Sequence, residues 1–181
     1  MLKIESLLVV FCLACPLTWA QSNGSVLKSW RLNELGKLQS SINAGATWDN
    51  IDCPIESPLN AFYVLNSEEA WAVGQNATVL RWDGEKWSEL LVFSTENLLS
   101  VYFQDAQNGW AVGTNGTILF WNGLSWNPEE SPTTETLIGI KRIANGSVQL
   151  TALSGLSYER INGQWKAPAP ILSASMVHPP K

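Results

Sequence analysis

Histidine is almost missing from this sequence. His178 is the single one in 181 residues, so histidine acid–base catalysis and a His-ligated metal site have almost nothing to be built from. Cysteine is nearly as scarce. Of three cysteines, Cys12 and Cys15 lie in an N-terminal apolar stretch, which leaves Cys53, and one thiol cannot form an internal disulfide. Cys53 reads as a small buried hydrophobe. Positive charge is sparse too: the net charge is −5 and the largest basic cluster is the pair Lys141-Arg142. That argues against nucleic acid and anionic membranes as partners. No G-x-S-x-G, phosphate loop or D-x-D-x-D-G calcium loop is present, and no cofactor or metal is expected.

No apolar run is long enough to span a bilayer, so no transmembrane helix is expected. The longest, Leu7 to Ala14, follows Lys3 and precedes Thr18-Trp19-Ala20, a small-x-small cleavage pattern. Residues 1–20 therefore read as an export signal, giving a periplasmic or secreted protein, with a polar leader over 21–29. In a competing reading Leu13-Ala14-Cys15 is a lipoprotein cleavage site and Cys15 carries the lipid.

What the chain has in excess is tryptophan, ten residues in all, and most of it is periodic. Asn108 to Trp126 reads N-G-W-A-V-G-T-N-G-T-I-L-F-W-N-G-L-S-W, and 39 residues earlier Glu69 to Trp87 reads E-A-W-A-V-G-Q-N-A-T-V-L-R-W-D-G-E-K-W. Trp71, Gly74, Trp82, Gly84 and Trp87 recur as Trp110, Gly113, Trp121, Gly123 and Trp126. An internal repeat of this length marks a solenoid, propeller or array. Within one copy, Leu59 to Leu65, Ala70 to Gly74, Thr78 to Trp82 and Lys86 to Phe93 read as short strands between turn signals. Asn108-Gly109, Asn122-Gly123 and Asn162-Gly163 mark tight turns.

The expected fold is thus all-β: propeller-type repeats of four-stranded antiparallel blades, about four in number. A partial blade spans 30–54, complete blades span 57–94 and 97–133, and a degenerate blade spans 136–168. In the degenerate blade Gln149, Ala152 and Arg160 replace the first tryptophan, the glycine and the second tryptophan. A Pro-rich tail, 169–181, carries an apolar patch, Ile171 to Val177, suited to supply the innermost strand that the first blade lacks. Three arrangements fit: a small four-bladed ring, an open arc completed by homo-oligomerisation, or a shortened copy of a larger propeller.

Ser41 to Trp48, S-I-N-A-G-A-T-W, resembles the Asp-box (BNR) turn S-x-D-x-G-x-T-W. Ser41, Gly45, Thr47 and Trp48 match, and Asn43 stands at the aspartate position. The later turns keep part of it: Asp83, Gly84 and Trp87 in one, Asn122, Gly123 and Trp126 in the next. The repeat itself resembles those of the photosystem II stability and assembly factor-like propellers, which include secreted bacterial relatives. That resemblance implies a BNR-like propeller; it identifies no photosystem partner. Sialidases also carry Asp-boxes, but their arginine-centred site has no counterpart among Arg31, Arg81, Arg142 and Arg160.

The expected function is a non-catalytic binding or scaffolding module whose partner is a protein or a glycan. One alternative is a carbohydrate-binding propeller with exposed tryptophans as sugar platforms; a more remote one is a glycosidase-like enzyme. Burying a tryptophan removes roughly 150–250 Å² from water, so Trp71 and Trp110 read as core. Trp87 and Trp126, beside their turns, fit core and ligand platform equally. Sequons occur at Asn23, Asn76, Asn115 and Asn145, but turn chemistry alone accounts for the repeat-equivalent pair Asn76 and Asn115. These two, with Thr114, fall in the loop joining the second and third strands, where propellers bind ligands. They are the candidate binding residues.

Overall fold

The computed structural model describes residues 29–167. The expected export signal, most of the polar leader, His178 and the tail with its closing strand lie outside the described residues.

Among the described residues fifteen strands form four sheets, each antiparallel and laid down in chain order. The first holds β1 (Ser29–Leu32), β2 (Leu38–Ser41) and β3 (Asp49–Asn50). The second holds β4 (Leu59–Val64), β5 (Ala70–Gly74), β6 (Val79–Trp82) and β7 (Trp87–Leu90). The third holds β8 (Leu98–Asp105), β9 (Asn108–Gly113), β10 (Ile118–Trp121) and β11 (Trp126–Pro128). The fourth holds β12 (Leu137–Arg142), β13 (Val148–Ala152), β14 (Ser157–Ile161) and β15 (Gln164–Lys166). This is the blade plan expected from the repeat. One boundary moves: Ser29, assigned to the leader, opens β1 and pairs with Ser41.

Asx-Gly turns set the hairpin registers. Asp83 Oδ1 accepts the amides of Glu85 and Lys86, and Asn122 Oδ1 those of Leu124 and Ser125. Each turn ends opposite a tryptophan pair, Trp82 across from Trp87 and Trp121 across from Trp126. Trp87 and Trp126 are 4% and 3% exposed, so the structure makes both of them core.

Successive sheets bury an apolar layer between them. Leu38, Leu80, Trp82 and Trp87 lie between the first and second; Trp71, Val79, Phe103, Leu119 and Trp126 between the second and third. Trp110, Ile118, Leu150, Tyr158 and Trp165 lie between the third and fourth. None of these layers joins the first sheet to the fourth. Of the three expected arrangements, the described residues therefore form an arc and not a closed four-bladed ring.

Candidate functional site

Antiparallel blades send their connections to two opposite ends, and the candidate residues divide between them. At one end lie the second-to-third-strand turns, 33–37, 75–78, 114–117 and 153–156, with the linkers between blades, 51–58, 91–97 and 129–136. At the other lie the Asp-box-type turns, 42–48, 83–86, 122–125 and 162–163.

At the Asp-box end, Ser41 is 1% exposed and its Oγ accepts the Gly45 amide at 2.8 Å. Asn43 Oδ1 accepts the Thr47 amide at 2.9 Å, and Asn43 Nδ2 donates to Thr47 Oγ1. Asparagine thus makes the turn that the aspartate pattern describes. Trp48 is covered by Arg31, whose guanidinium lies 4.3 Å from the ring centroid. These residues, with Asp83, Gly84, Asn122 and Gly123, are turn framework.

Asn76, Thr114 and Asn115 lie in the turns at the linker end. Asn76 and Asn115 adopt left-handed backbone, φ 52° and 53°, which asparagine tolerates better than most residues. The turn is the reason for asparagine at both sites. Their neighbour is Glu96, which the sequence reading passed over. Its Oε2 accepts Thr114 Oγ1 at 2.6 Å and Asn115 Nδ2 at 3.0 Å. The Asn97 side chain accepts the Asn76 amide, and the Asn97 amide donates to Thr114 Oγ1. Consecutive blades are thereby tied at this corner. The polar atoms of Thr114 and Asn115 therefore bond mainly to the protein itself, and the corner holds the surface in shape. Glu96 recurs 39 residues on as Glu135, whose Oε2 accepts the amide of Ser154 in the next turn. That periodicity was the available signal.

The Thr114 hydroxyl, and then the Asn115 amide, hold the Glu96 carboxyl below its usual range. Asp83 is lowered by the Lys86 and Glu85 amides, Asp105 by the Gln107 amide, and Glu159 by the Asn145 and Ser147 side chains. A carboxyl lowered by folding stabilises the fold above its unfolded pKa and loses that contribution as pH falls through the folded value. Thermal unfolding should therefore be flat from pH 7 to about 5 and decline below about 4. A melting temperature that rises on acidification would contradict these bonds.

The linker end is one-sided in charge. Glu34, Asp52, Glu56, Glu96, Glu129, Glu130 and Glu135 lie in its turns and linkers, against Lys37 alone, which pairs with Glu56 at 3.4 Å. Between the carboxylates stand exposed apolar side chains: Leu35, Leu91, Phe93, Leu153 and Leu156. A shallow cleft at this end is lined by Gly36, Lys37, Leu38, Asp52, Cys53 and Glu56. Burial, and then the Asp52 charge, raise the Cys53 thiol, which suits a bystander better than a nucleophile.

The arginines do not converge. Arg31 covers Trp48 on the first sheet, and Arg81 pairs with Glu69 beside Trp71 and Trp121. Arg160, where the repeat has tryptophan, pairs with Glu129 among Trp110, Phe120 and Trp165. Glu129 also accepts the Trp110 indole N–H at 3.0 Å. Each pair sits at a different place along the arc, so the arginines form no joint anion site.

No protein-family model matches the sequence, and no curated protein matches it. Among solved structures it is similar to YCF48 bound to D1 peptide, at 26% identity and a TM-score of 0.57, covering 65% of this chain and 42% of that one. It is also similar to YCF48 from Cyanidioschyzon merolae, at 17% identity and a TM-score of 0.60, covering 77% and 52%. An ancestral GH74 enzyme gives 16% identity and a TM-score of 0.63, covering 77% and 22%. The propeller resemblance carried by the repeat is borne out as structure, and the chain spans about half the length of the YCF48 chains.

Proposed function

We propose that this chain is an exported, non-catalytic binding module that holds a basic, amphipathic segment of a partner protein on its linker end. One observation carries the reading: with Glu129 taken up by Arg160, six further carboxylates stand against a single, already paired lysine, with exposed leucine and phenylalanine side chains among them. Such a surface attracts cationic residues over a Debye length and offers apolar anchors once contact is made. The Glu96 and Glu135 ties supply rigidity, which lowers the ordering cost of binding. YCF48, solved with a D1 peptide bound, provides a precedent for a propeller of this kind receiving a polypeptide segment.

Nothing in the site favours the carbohydrate reading, because Trp71, Trp82, Trp87, Trp110, Trp121 and Trp126 are all buried. The test is titration with a cationic amphipathic peptide of alternating lysine and leucine, beside its glutamate–leucine counterpart. The lysine peptide should bind saturably and weaken roughly tenfold between low and physiological salt. Equal binding of both peptides, or of neither, would defeat the reading.

A further inference from the structure

The two end sheets turn unusual faces outward. In the third sheet, the face packed on the fourth presents Tyr102, Trp110, Val112, Ile118 and Phe120. At the same 39-residue offset and register, the far face of the fourth sheet presents Lys141, Gln149, Thr151, Ser157 and Glu159. Every apolar position of the interface has become polar or charged. Meanwhile the near face of the fourth sheet keeps Ile140, Leu150, Tyr158 and Trp165 buried. Sequence decay would not spare one face of a strand and change the other.

The opposite end shows the same substitution except at Trp48, which stays tryptophan like its counterpart Trp87. Ala72 and Leu80 of the second sheet face the first, and their counterparts on the far side of the first sheet are Arg31 and Gln39. That face also satisfies itself. Arg31 Nε donates to Gln39 Oε1 at 2.8 Å, Gln39 Nε2 donates to Asn50 Oδ1 at 2.9 Å, and the Arg31 guanidinium covers Trp48.

We infer that both end faces are caps that meet solvent, so the arc neither adds a blade nor recruits a second copy to complete a ring. Stacked repeats need polar outer faces at their termini to stay soluble. Covering these faces with a blade would desolvate Lys141, Glu159 and Arg31 with little apolar area gained in return. The inference is independent of what the linker end binds.

Light scattering on the wild-type protein, together with small-angle X-ray scattering, tests it. A single copy at every concentration with the profile of an open arc is expected. A dimer, or the profile of a closed ring, would overturn it. The variant Gln149→Trp/Thr151→Val/Ser157→Ile restores the residues of the third sheet and should associate as concentration rises. If it stays folded by near-UV circular dichroism and monomeric throughout, the caps are also overturned. Should it fail to fold, the wild-type scattering decides alone.

Discussion

Trp71→Ala unfolds much of this protein at moderate temperature. Trp71 is fully buried, stacked on Phe103 at 4.9 Å and packed against Trp121 at 4.7 Å and Trp126 at 5.5 Å. Its loss opens a cavity in the layer between the second and third sheets, and such truncations cost about 3–5 kcal/mol. Against a total stability of roughly 5–15 kcal/mol, that is a large share. The melting temperature should drop by about 10 °C, at roughly 2–4 °C per kcal/mol for a chain of this size. The indole N–H has no hydrogen-bond partner, so Trp71→Phe forfeits packing alone and should cost clearly less. Gln149, at the equivalent position on the polar outer face, gives the contrast: Gln149→Ala should stay within about 0.5 kcal/mol. Equal costs at Trp71 and Gln149 in urea unfolding would refute the assignment of core and cap.

Gly113→Ala should be nearly as damaging for a different reason. The backbone there is extended, with φ −168°, so any residue could adopt it. Space is the obstacle: a Cβ would lie 1.9 Å from the Asn97 carbonyl oxygen and 3.0 Å from Leu98 Cα. Both neighbours are backbone. The linker would have to withdraw, breaking the bond from the Thr114 amide to Asn97 O and loosening the Glu96 corner. Overpacking of this kind costs about 1–3 kcal/mol or more. Gly74 is hemmed in similarly by the Pro58 carbonyl. In the fourth sheet the equivalent residue is Ala152, fully buried yet accommodated, so Ala152→Gly should cost only about 1 kcal/mol. A loss below that at Gly113, measured by urea unfolding, would mean the linker is softer than its bonds imply.

The repeat made much of this legible beforehand. Five tryptophan and glycine positions recurring at one offset, with Asx-Gly pairs among them, located the strands, and Ala70 to Gly74 coincides with β5. Position beside a turn could not say whether Trp87 and Trp126 pack inward. That depends on register, which sets them opposite Trp82 and Trp121 on the buried face. Glu96 and Glu135 were passed over because they lie in linkers, where periodic patterning gives way to turn residues. Their role appears only once the linker and the Thr114 turn are seen to meet. Gln149 and Arg160 both read as wear in the last repeat, yet they point to opposite faces. Arg160 completes a half-buried pair with Glu129, whereas Gln149 belongs to the cap. Alternation along a strand separates these two cases, and only the neighbouring sheet says which face is covered.

The lysine–leucine peptide titration, repeated on a charge-reversed linker end, decides whether this surface binds. Glu34, Asp52 and Glu130 are exposed, so Glu34→Lys/Asp52→Lys/Glu130→Lys should leave the melting temperature almost unchanged. This variant should lose the lysine peptide and gain affinity for the glutamate peptide. Undiminished binding of the lysine peptide by the folded variant would contradict the proposal, and would move the binding surface away from the linker end.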